Sequence, residues 1–206
     1  EAVGFDASRA VGCRQIHSDL VRIASEEDAG KILWDDRPYD ADGLITNVPN
    51  LPLFAYGTDC CVITLYDPTS RSIGAVHAGW RGTASGIALK AAVSMMSCYG
   101  ADPYTLRAAI SPSIGKCCFE TDEDVPNALT GALGASALKC IELRENGKFY
   151  VDLKGLNVLR LEKLGLEPNH IAVSEACTMC EHERVWSHRY TQGVRGSQAA
   201  MLQLLG

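Results

Sequence analysis

The chain has 206 residues, of which 47% are hydrophobic, and this composition suffices for the buried core of one domain over residues 1–206. Its net charge of -6 argues against a general nucleic-acid binder, and no apolar run is long enough to span a bilayer. We therefore expect a soluble protein that acts on small molecules and has neither nucleic acid nor a membrane as a partner.

Strand-like and helix-like segments alternate along the chain. Short apolar, β-branched runs between turn signals predict strands at 44–46, 53–55, 62–66, 73–77, 106–110, 149–153, 171–174 and 184–188. Apolar spacing predicts helices at 83–99, 122–138 and 156–164, the first and last of which are stopped by Gly100 and Gly165. The segment 198–205 fits either a terminal helix or an edge strand. This alternation favours a single α/β domain.

The predicted strands 62–66 and 73–77 form a hairpin around the turn signal Asp67-Pro68-Thr69-Ser70. If the turn is centred between Pro68 and Thr69, Cys60 and His77 are directly paired across the two strands. Their Cβ atoms would then lie about 5 Å apart. That distance suits either a shared metal ion or a thiolate and imidazole pair, whereas a one-residue slip would put the two side chains on opposite faces.

His17 is a third candidate donor, in the segment Gln15-Ile16-His17. Two imidazoles and a thiolate, from His17, Cys60 and His77, would form a zinc or copper site with an open position. Each donor also has a structural interpretation, since a lone histidine is commonly a surface residue and a cysteine a small buried apolar group. The position of His77 favours a functional role over a packing role, because it ends a strand where a glycine-rich turn begins.

That turn, residues 79–86, is rich in glycine and precedes the predicted helix. Free backbone amides at the start of a helix bind anions, and Arg81 would add bidentate hydrogen bonds to a phosphate or carboxylate. The alternative is that the glycines are turn residues and Trp80 fills the core. The segment is neither a Walker loop nor a Rossmann fingerprint.

The chain has nine cysteines, an odd number that includes two adjacent pairs. This pattern lacks the density of a secreted disulfide framework, so we expect a reducing, cytoplasmic location. Cys177 and Cys180 with His182 form a competing metal cluster, but one Cys-x-x-Cys and one histidine are half of a zinc motif. A thioredoxin-like redox role is disfavoured because no βαβ unit surrounds them.

Eight segments occur in the order expected for one family: Gln15-Ile16-His17, Ala41-Asp42-Gly43, Thr58-Asp59-Cys60-Cys61, His77-Ala78-Gly79-Trp80-Arg81-Gly82-Thr83, Ile110-Ser111-Pro112-Ser113-Ile114-Gly115, Cys117-Cys118-Phe119-Glu120, Cys177-Thr178 and Ser187-His188-Arg189. The chain resembles members of the laccase-domain or polyphenol oxidase family, which are also described as purine nucleoside phosphorylases. The resemblance implies an αββα layered sandwich with mixed β-sheets, in which His17, Cys60 and His77 bind zinc or copper. It also implies that an N-terminal part of the family domain is missing from these residues.

The resemblance implies phosphorolysis of adenosine, inosine, guanosine and methylthioadenosine, and deamination of adenosine. A zinc ion, the favoured cofactor over copper, suits deamination because three protein ligands leave a position for water or substrate. Asp59 and Glu120 are the candidate carboxylates for proton transfer, beside Cys60 and His77 as catalytic residues.

Phosphorolysis requires a phosphate held beside the ribose. The amides of Gly82 and Thr83, with Arg81, are candidates to hold it. Arg189 and Arg195 would close the pocket, although both also fit solvated surface charges.

Two other enzyme classes stay open. One is copper-dependent phenol oxidation, although the five histidines of the chain are too few for a four-copper oxidase. The other is a thiol hydrolase with Cys60 as nucleophile and His77 as base, in which metal would inhibit. A non-catalytic role in binding a nucleotide or partner is the third alternative.

Overall fold

The computed structural model describes residues 4–31 and 39–206. Its strands are β1 Val21–Ile23, β2 Gly43–Thr46, β3 Leu53–Gly57, β4 Cys61–Asp67, β5 Ser72–Ala78, β6 Arg107–Ile110, β7 Glu120–Thr121, β8 Ile141–Leu143, β9 Phe149–Val151, β10 Ile171–Val173 and β11 Gln198–Leu202. Its α-helices are α1 Trp80–Ser85, α2 Ile87–Tyr99, α3 Asp124–Leu133, α4 Leu153–Leu164 and α5 His188–Thr191. None of the helices in this described part combines the length and apolar character needed to cross a membrane.

A six-stranded mixed sheet with the order β1-β2-β5-β4-β6-β10 forms the centre of the fold. Its inner strands β2, β5, β4 and β6 are antiparallel, and β1 and β10 add to the two edges in parallel. Every residue of β5 is buried, as expected for a strand covered on both faces. The α/β class with mixed sheets is therefore confirmed.

Helices and a small sheet cover the two faces of the central sheet. Ala88, Ala91 and Ala92 of α2 are fully buried in the larger core cluster, where their small side chains allow the helix to lie close to the sheet. On the other side, β3 pairs antiparallel with β11, and Leu53 and Ala55 join a second core cluster. A third sheet, in the order β7-β9-β8, lies beside α3.

The predicted helix over 83–99 is two helices. It begins three residues earlier, at Trp80, and is broken at Gly86, whose φ of 78° is left-handed and which caps the end of α1. The predicted stop at Gly100 is confirmed. The helix predicted over 122–138 ends at Leu133 and continues as a 3₁₀ segment, and the predicted strand 149–153 stops at Val151 because Asp152 caps α4.

Near the C-terminus, one prediction is wrong and one ambiguity is resolved. The segment 184–188 is not a strand: it forms a turn that leads into α5, and the Ser187 hydroxyl accepts the Tyr190 N–H at the start of that helix. The segment around 198–205 contains the edge strand β11, because β3 offers it a complete antiparallel partner from Leu53 to Gly57.

The hairpin of β4 and β5 exists, but its predicted register is wrong. Val62, not Cys60, pairs with His77, and Asp67 pairs with Ser72 around a four-residue loop in which Arg71 has a φ of 47°. Because Cys60 and Val62 are two residues apart, they face the same side of the strand. The shift of two residues therefore leaves Cys60 diagonal to His77 on one face.

Candidate metal centre and its cavity

The three predicted donors meet in space. The ligand atoms of His17, Cys60 and His77 all lie within 4.8 Å of one another, and the two imidazole rings are 4.8 Å apart in an edge-to-face arrangement. His17 lies in a loop, Cys60 directly precedes β4, and His77 is in β5. Zinc bonds to nitrogen and sulfur are about 2.0–2.3 Å long, so small side-chain rotations would bring all three atoms onto one ion.

Asp42 organises this centre, and sequence reasoning assigned it no role. Its fully buried carboxylate accepts the backbone N–H groups of Ile16, His17 and Ser18 at 3.1, 3.0 and 2.6 Å, and the Ser18 hydroxyl at 2.7 Å. It therefore holds the loop that carries His17. The available signals were its place in the family segment Ala41-Asp42-Gly43 and an acidic residue directly before the strand β2.

The same carboxylate orients His77, whose Nδ1 atom lies 2.8 Å from Oδ1 of Asp42. Burial alone would raise the pKa of Asp42, but hydrogen bonds from His77 and Ser18 outweigh it and lower that pKa to about 2. An ionised carboxylate only accepts hydrogen bonds, so Nδ1 of His77 carries the proton and Nε2 is the free ligand atom.

His17 adopts a backbone conformation that histidine rarely takes, with a φ of 60°. The contacts of its loop to Asp42 keep it there. Burial, followed by the repulsion that a second positive charge beside His77 would meet, lowers the pKa of His17. The imidazole is thus neutral at physiological pH, the form that binds metal ions.

The surroundings of Cys60 and the space left by Gly79 favour a metal-bound thiolate over a free thiol at Cys60. Burial raises the pKa of the Cys60 thiol to about 12, so the group needs a cation beside it to be a thiolate at neutral pH. A Cβ atom on Gly79 would lie 3.0 Å from the Cys60 sulfur and 3.1 Å from Cδ2 of His17. Only glycine leaves the donors free to converge at this point. The residues present therefore fit a His₂Cys metal site.

The three donors line one cavity of about 500 Å³, a size typical of small-molecule sites. Its other walls are Gln15, Tyr56, Gly57, Thr58, Asp59, Ile114, Phe119, His188, Arg189, Arg195 and Ser197. Gln15 is bound through both ends of its amide to the backbone of Tyr56, which joins the His17 loop to β3. Sequence reasoning missed the aromatic and apolar walls and His188, whose positions depend on loops from distant parts of the chain.

The two predicted catalytic carboxylates have different positions. Asp59 lines the cavity, but its oxygens accept the Thr178 hydroxyl at 2.6 Å and the Arg189 backbone N–H at 2.7 Å. Glu120 is not among the cavity residues, and its carboxylate accepts the Tyr150 hydroxyl at 2.5 Å.

The five predicted phosphate ligands divide into two groups. Arg189 and Arg195 both line the cavity. Arg81, Gly82 and Thr83 are instead in α1, outside the cavity lining. The Thr83 N–H donates to the Gly79 carbonyl at 2.8 Å within the first helical turn, so that amide is not available to a ligand. The Arg81 guanidinium stacks on Trp80, 4.2 Å from the ring centre.

A model of the family described as multi-copper polyphenol oxidoreductase laccase matches residues 1–205. The chain belongs to this family. It is 32% identical over 204 residues to a protein of Geobacillus stearothermophilus named purine nucleoside phosphorylase YlmD, a match that covers 98% of this chain and 74% of the relative. The crystal structure of YlmD from the same organism superimposes with a TM-score of 0.94, covering 100% of this chain and 77% of that structure.

Two further relatives carry informative names. A protein named adenosine deaminase RL5, from an unknown prokaryotic organism, is 33% identical over 193 residues, covering 91% of this chain and 72% of the relative. Human purine nucleoside phosphorylase LACC1 is 27% identical over 191 residues, and the match covers 91% of this chain but only 41% of LACC1.

Proposed function

We propose that this protein is a metal-dependent purine nucleoside enzyme, which cleaves adenosine, inosine, guanosine and methylthioadenosine with phosphate and also deaminates adenosine. The observation that carries the proposal is one cavity in which a His₂Cys donor set and two arginines share the lining. Membership of a family whose relatives are named purine nucleoside phosphorylase and adenosine deaminase supports it.

His17, Cys60 and His77 would hold the metal ion, with zinc favoured and copper the alternative. When bound, such an ion supplies Lewis acidity at a position that three protein ligands leave open. The protein's part is to set the geometry of these donors, and Asp42 does so through His77 and the His17 loop.

The walls of the cavity suit a nucleoside. Tyr56, Ile114 and Phe119 offer apolar and aromatic surface for the flat purine base, while most of the remaining lining residues are polar. His188 lies in the same lining and is the titratable group suited to transfer a proton at the base.

Arg189 and Arg195 would bind the attacking phosphate. The Arg195 guanidinium donates to the Ser197 hydroxyl at 2.8 Å and to the Gly196 carbonyl at 3.1 Å, which keeps it at the cavity wall. Asp59 holds the backbone of Arg189 at 2.7 Å, so we give Asp59 a positioning role rather than that of a free base. A planar guanidinium can donate two parallel hydrogen bonds to two oxygen atoms of one phosphate.

One observation favours the thiol hydrolase as a second candidate. The pair of Asp42 and His77 resembles the orienting half of a nucleophilic triad, with Cys60 on the same face. Against it, a Cys60 pKa of about 12 leaves the thiol protonated, and this mechanism gives His17 no role. Among the described residues, the other group of possible metal ligands consists of Cys117, Cys118, Cys177 and Cys180 and contains no histidine, so it adds no imidazole towards a multi-copper oxidase site.

The deciding experiment incubates zinc-loaded protein with adenosine, with and without phosphate, and separates adenine, inosine and hypoxanthine by chromatography. Phosphate-dependent adenine is the expected product of phosphorolysis, and phosphate-independent inosine that of deamination. Chelation should abolish both activities, and zinc should restore them.

Two controls separate the candidates. Cys60→Ala removes activity in both enzymatic mechanisms, whereas His17→Ala inactivates only the metal enzyme. Activity that survives chelation and His17→Ala would favour the thiol hydrolase. If neither purine product forms and a copper-loaded sample oxidises a phenol, the purine proposal is wrong.

A further inference from the structure

A second cluster of metal-ligating side chains lies outside the proposed active site. Four sulfur atoms lie within 4.8 Å of one another, those of Cys117, Cys118, Cys177 and Cys180. The Cys180 sulfur is 3.7 Å from that of Cys117 and 3.4 Å from that of Cys118. Four thiolates bound tetrahedrally to one zinc ion at about 2.3 Å stand about 3.8 Å apart. We propose that these four cysteines bind a structural zinc ion.

The structure supplies the half of the zinc motif that the sequence lacked. Cys118 is 62 residues before Cys180 in the chain, far outside the spacing of a local zinc knuckle. His182, the donor expected from sequence, is not in the cluster: its Nδ1 lies 3.1 Å from the Met179 carbonyl oxygen and its ring stacks on Tyr190 at 3.5 Å.

Backbone N–H groups and a glycine surround the cysteine sulfurs of this cluster. The Gly115 N–H donates to the Cys177 sulfur at 3.2 Å, and the Cys180 N–H donates to the same atom. Such bonds stabilise a thiolate and are the outer shell that a tetrathiolate site needs. A Cβ on Gly115 would lie 3.2 Å from the Cys117 sulfur and 3.4 Å from the Cys177 sulfur, so glycine leaves this space to the cysteines.

The ion would tie together two segments that form the cavity wall. The turn with Cys117 and Cys118 directly precedes Phe119, and the turn with Cys177 and Cys180 leads towards Arg189. Apart from the sulfurs, the two segments are joined by the Thr178 N–H, which donates to the Ser113 carbonyl at 3.1 Å. Zinc there would act structurally, as a cross-link that closes the long chain segment between the two turns.

The test is zinc content per chain after expression with zinc and purification with a thiol reductant. A His17→Ala background removes the first site, so the result does not depend on the proposed enzyme activity. In that background we expect about one zinc ion per chain. Cys118→Ser and Cys180→Ser should each lose it, whereas Cys98→Ser, an exposed cysteine of α2 outside both clusters, should retain it.

A second measurement avoids any variant in the cluster. Zinc-edge X-ray absorption of the His17→Ala protein should show four sulfur neighbours at about 2.3 Å. Nitrogen or oxygen in the shell would overturn the proposal. So would zinc content in Cys180→Ser equal to that in Cys98→Ser.

Discussion

Nδ1 of His77 lies 2.8 Å from Oδ1 of Asp42, and the same carboxylate accepts the backbone N–H of His17 at 3.0 Å. One buried anion therefore positions two of the three metal donors. It also sets the tautomer of His77, so that Nε2 is the ligand atom.

Asp42→Asn should weaken zinc binding by about 10- to 100-fold, the usual cost of losing an outer-shell partner of a metal-ligating histidine. The amide cannot accept the same set of N–H bonds and leaves the His17 loop less well held. Zinc affinity by chelator competition measures the effect. Asp40→Asn, at a partly exposed carboxylate paired with Arg14, is the matched control and should change affinity little. Equal affinities in the two variants would contradict this role.

Gly79→Ala should lower zinc binding without unfolding the protein, because its new methyl group would crowd the Cys60 sulfur and His17. The measurement is zinc per chain beside a thermal melt. Gly131→Ala is the control, since a Cβ at that position in α3 meets nothing within 4 Å and alanine suits a helix. Full zinc content in Gly79→Ala would show that the donors do not converge at this glycine.

Arg195→Ala should raise the KM for phosphate by about 10-fold or more, the effect of losing one charge-assisted hydrogen bond, with a smaller change for the nucleoside. Steady-state kinetics with phosphate varied at saturating nucleoside measures the KM for phosphate. Arg107→Ala, at an exposed position of β6, serves as the control. A KM that rises only for the nucleoside would place the phosphate elsewhere.

Gly86→Ala should destabilise the fold by about 1–2 kcal/mol, because its φ of 78° is strained for any residue with a Cβ. The new atom would also lie 3.0 Å from Arg160, which donates to the Ala84 carbonyl. Gly100→Ala carries the backbone strain alone, since nothing lies within 4 Å of its Cβ position. Urea unfolding should rank Gly86→Ala below Gly100→Ala in stability.

Asp67 should contribute to acid sensitivity. Burial would raise its pKa, but hydrogen bonds from the Thr105 hydroxyl and from Ser70 lower it below the ordinary value. A lowered folded-state pKa means that the stabilisation is present above the unfolded-state pKa of about 4 and is lost as pH falls through the folded-state value. The free energy of unfolding of Asp67→Asn, measured from neutral to acidic pH, should therefore fall less steeply than that of wild type. Parallel curves would exclude this contribution.

Local signals were sufficient for the elements around the site. Apolar alternation and turn residues located β4 and β5, and Gly100 and Gly165 ended their helices as predicted, because capping depends on a few neighbouring residues. The strand prediction failed where contacts with distant residues competed with the local strand preference. Residues 184–188 have strand-forming side chains, but the backbone of Trp186 is hydrogen-bonded to the Gln198 side chain rather than to another strand, and the Ser187 hydroxyl caps α5, so a turn and α5 form instead.

The sequence by itself determined the donor types, the family resemblance and the hairpin that carries His77. Only the tertiary structure decided the register that leaves Cys60 diagonal to His77, the role of Asp42, and the meeting of Cys118 with Cys180. The reason is physical: side-chain identity and turn chemistry act over a few residues, whereas a register and a shared carboxylate are chosen by packing between segments distant in the chain.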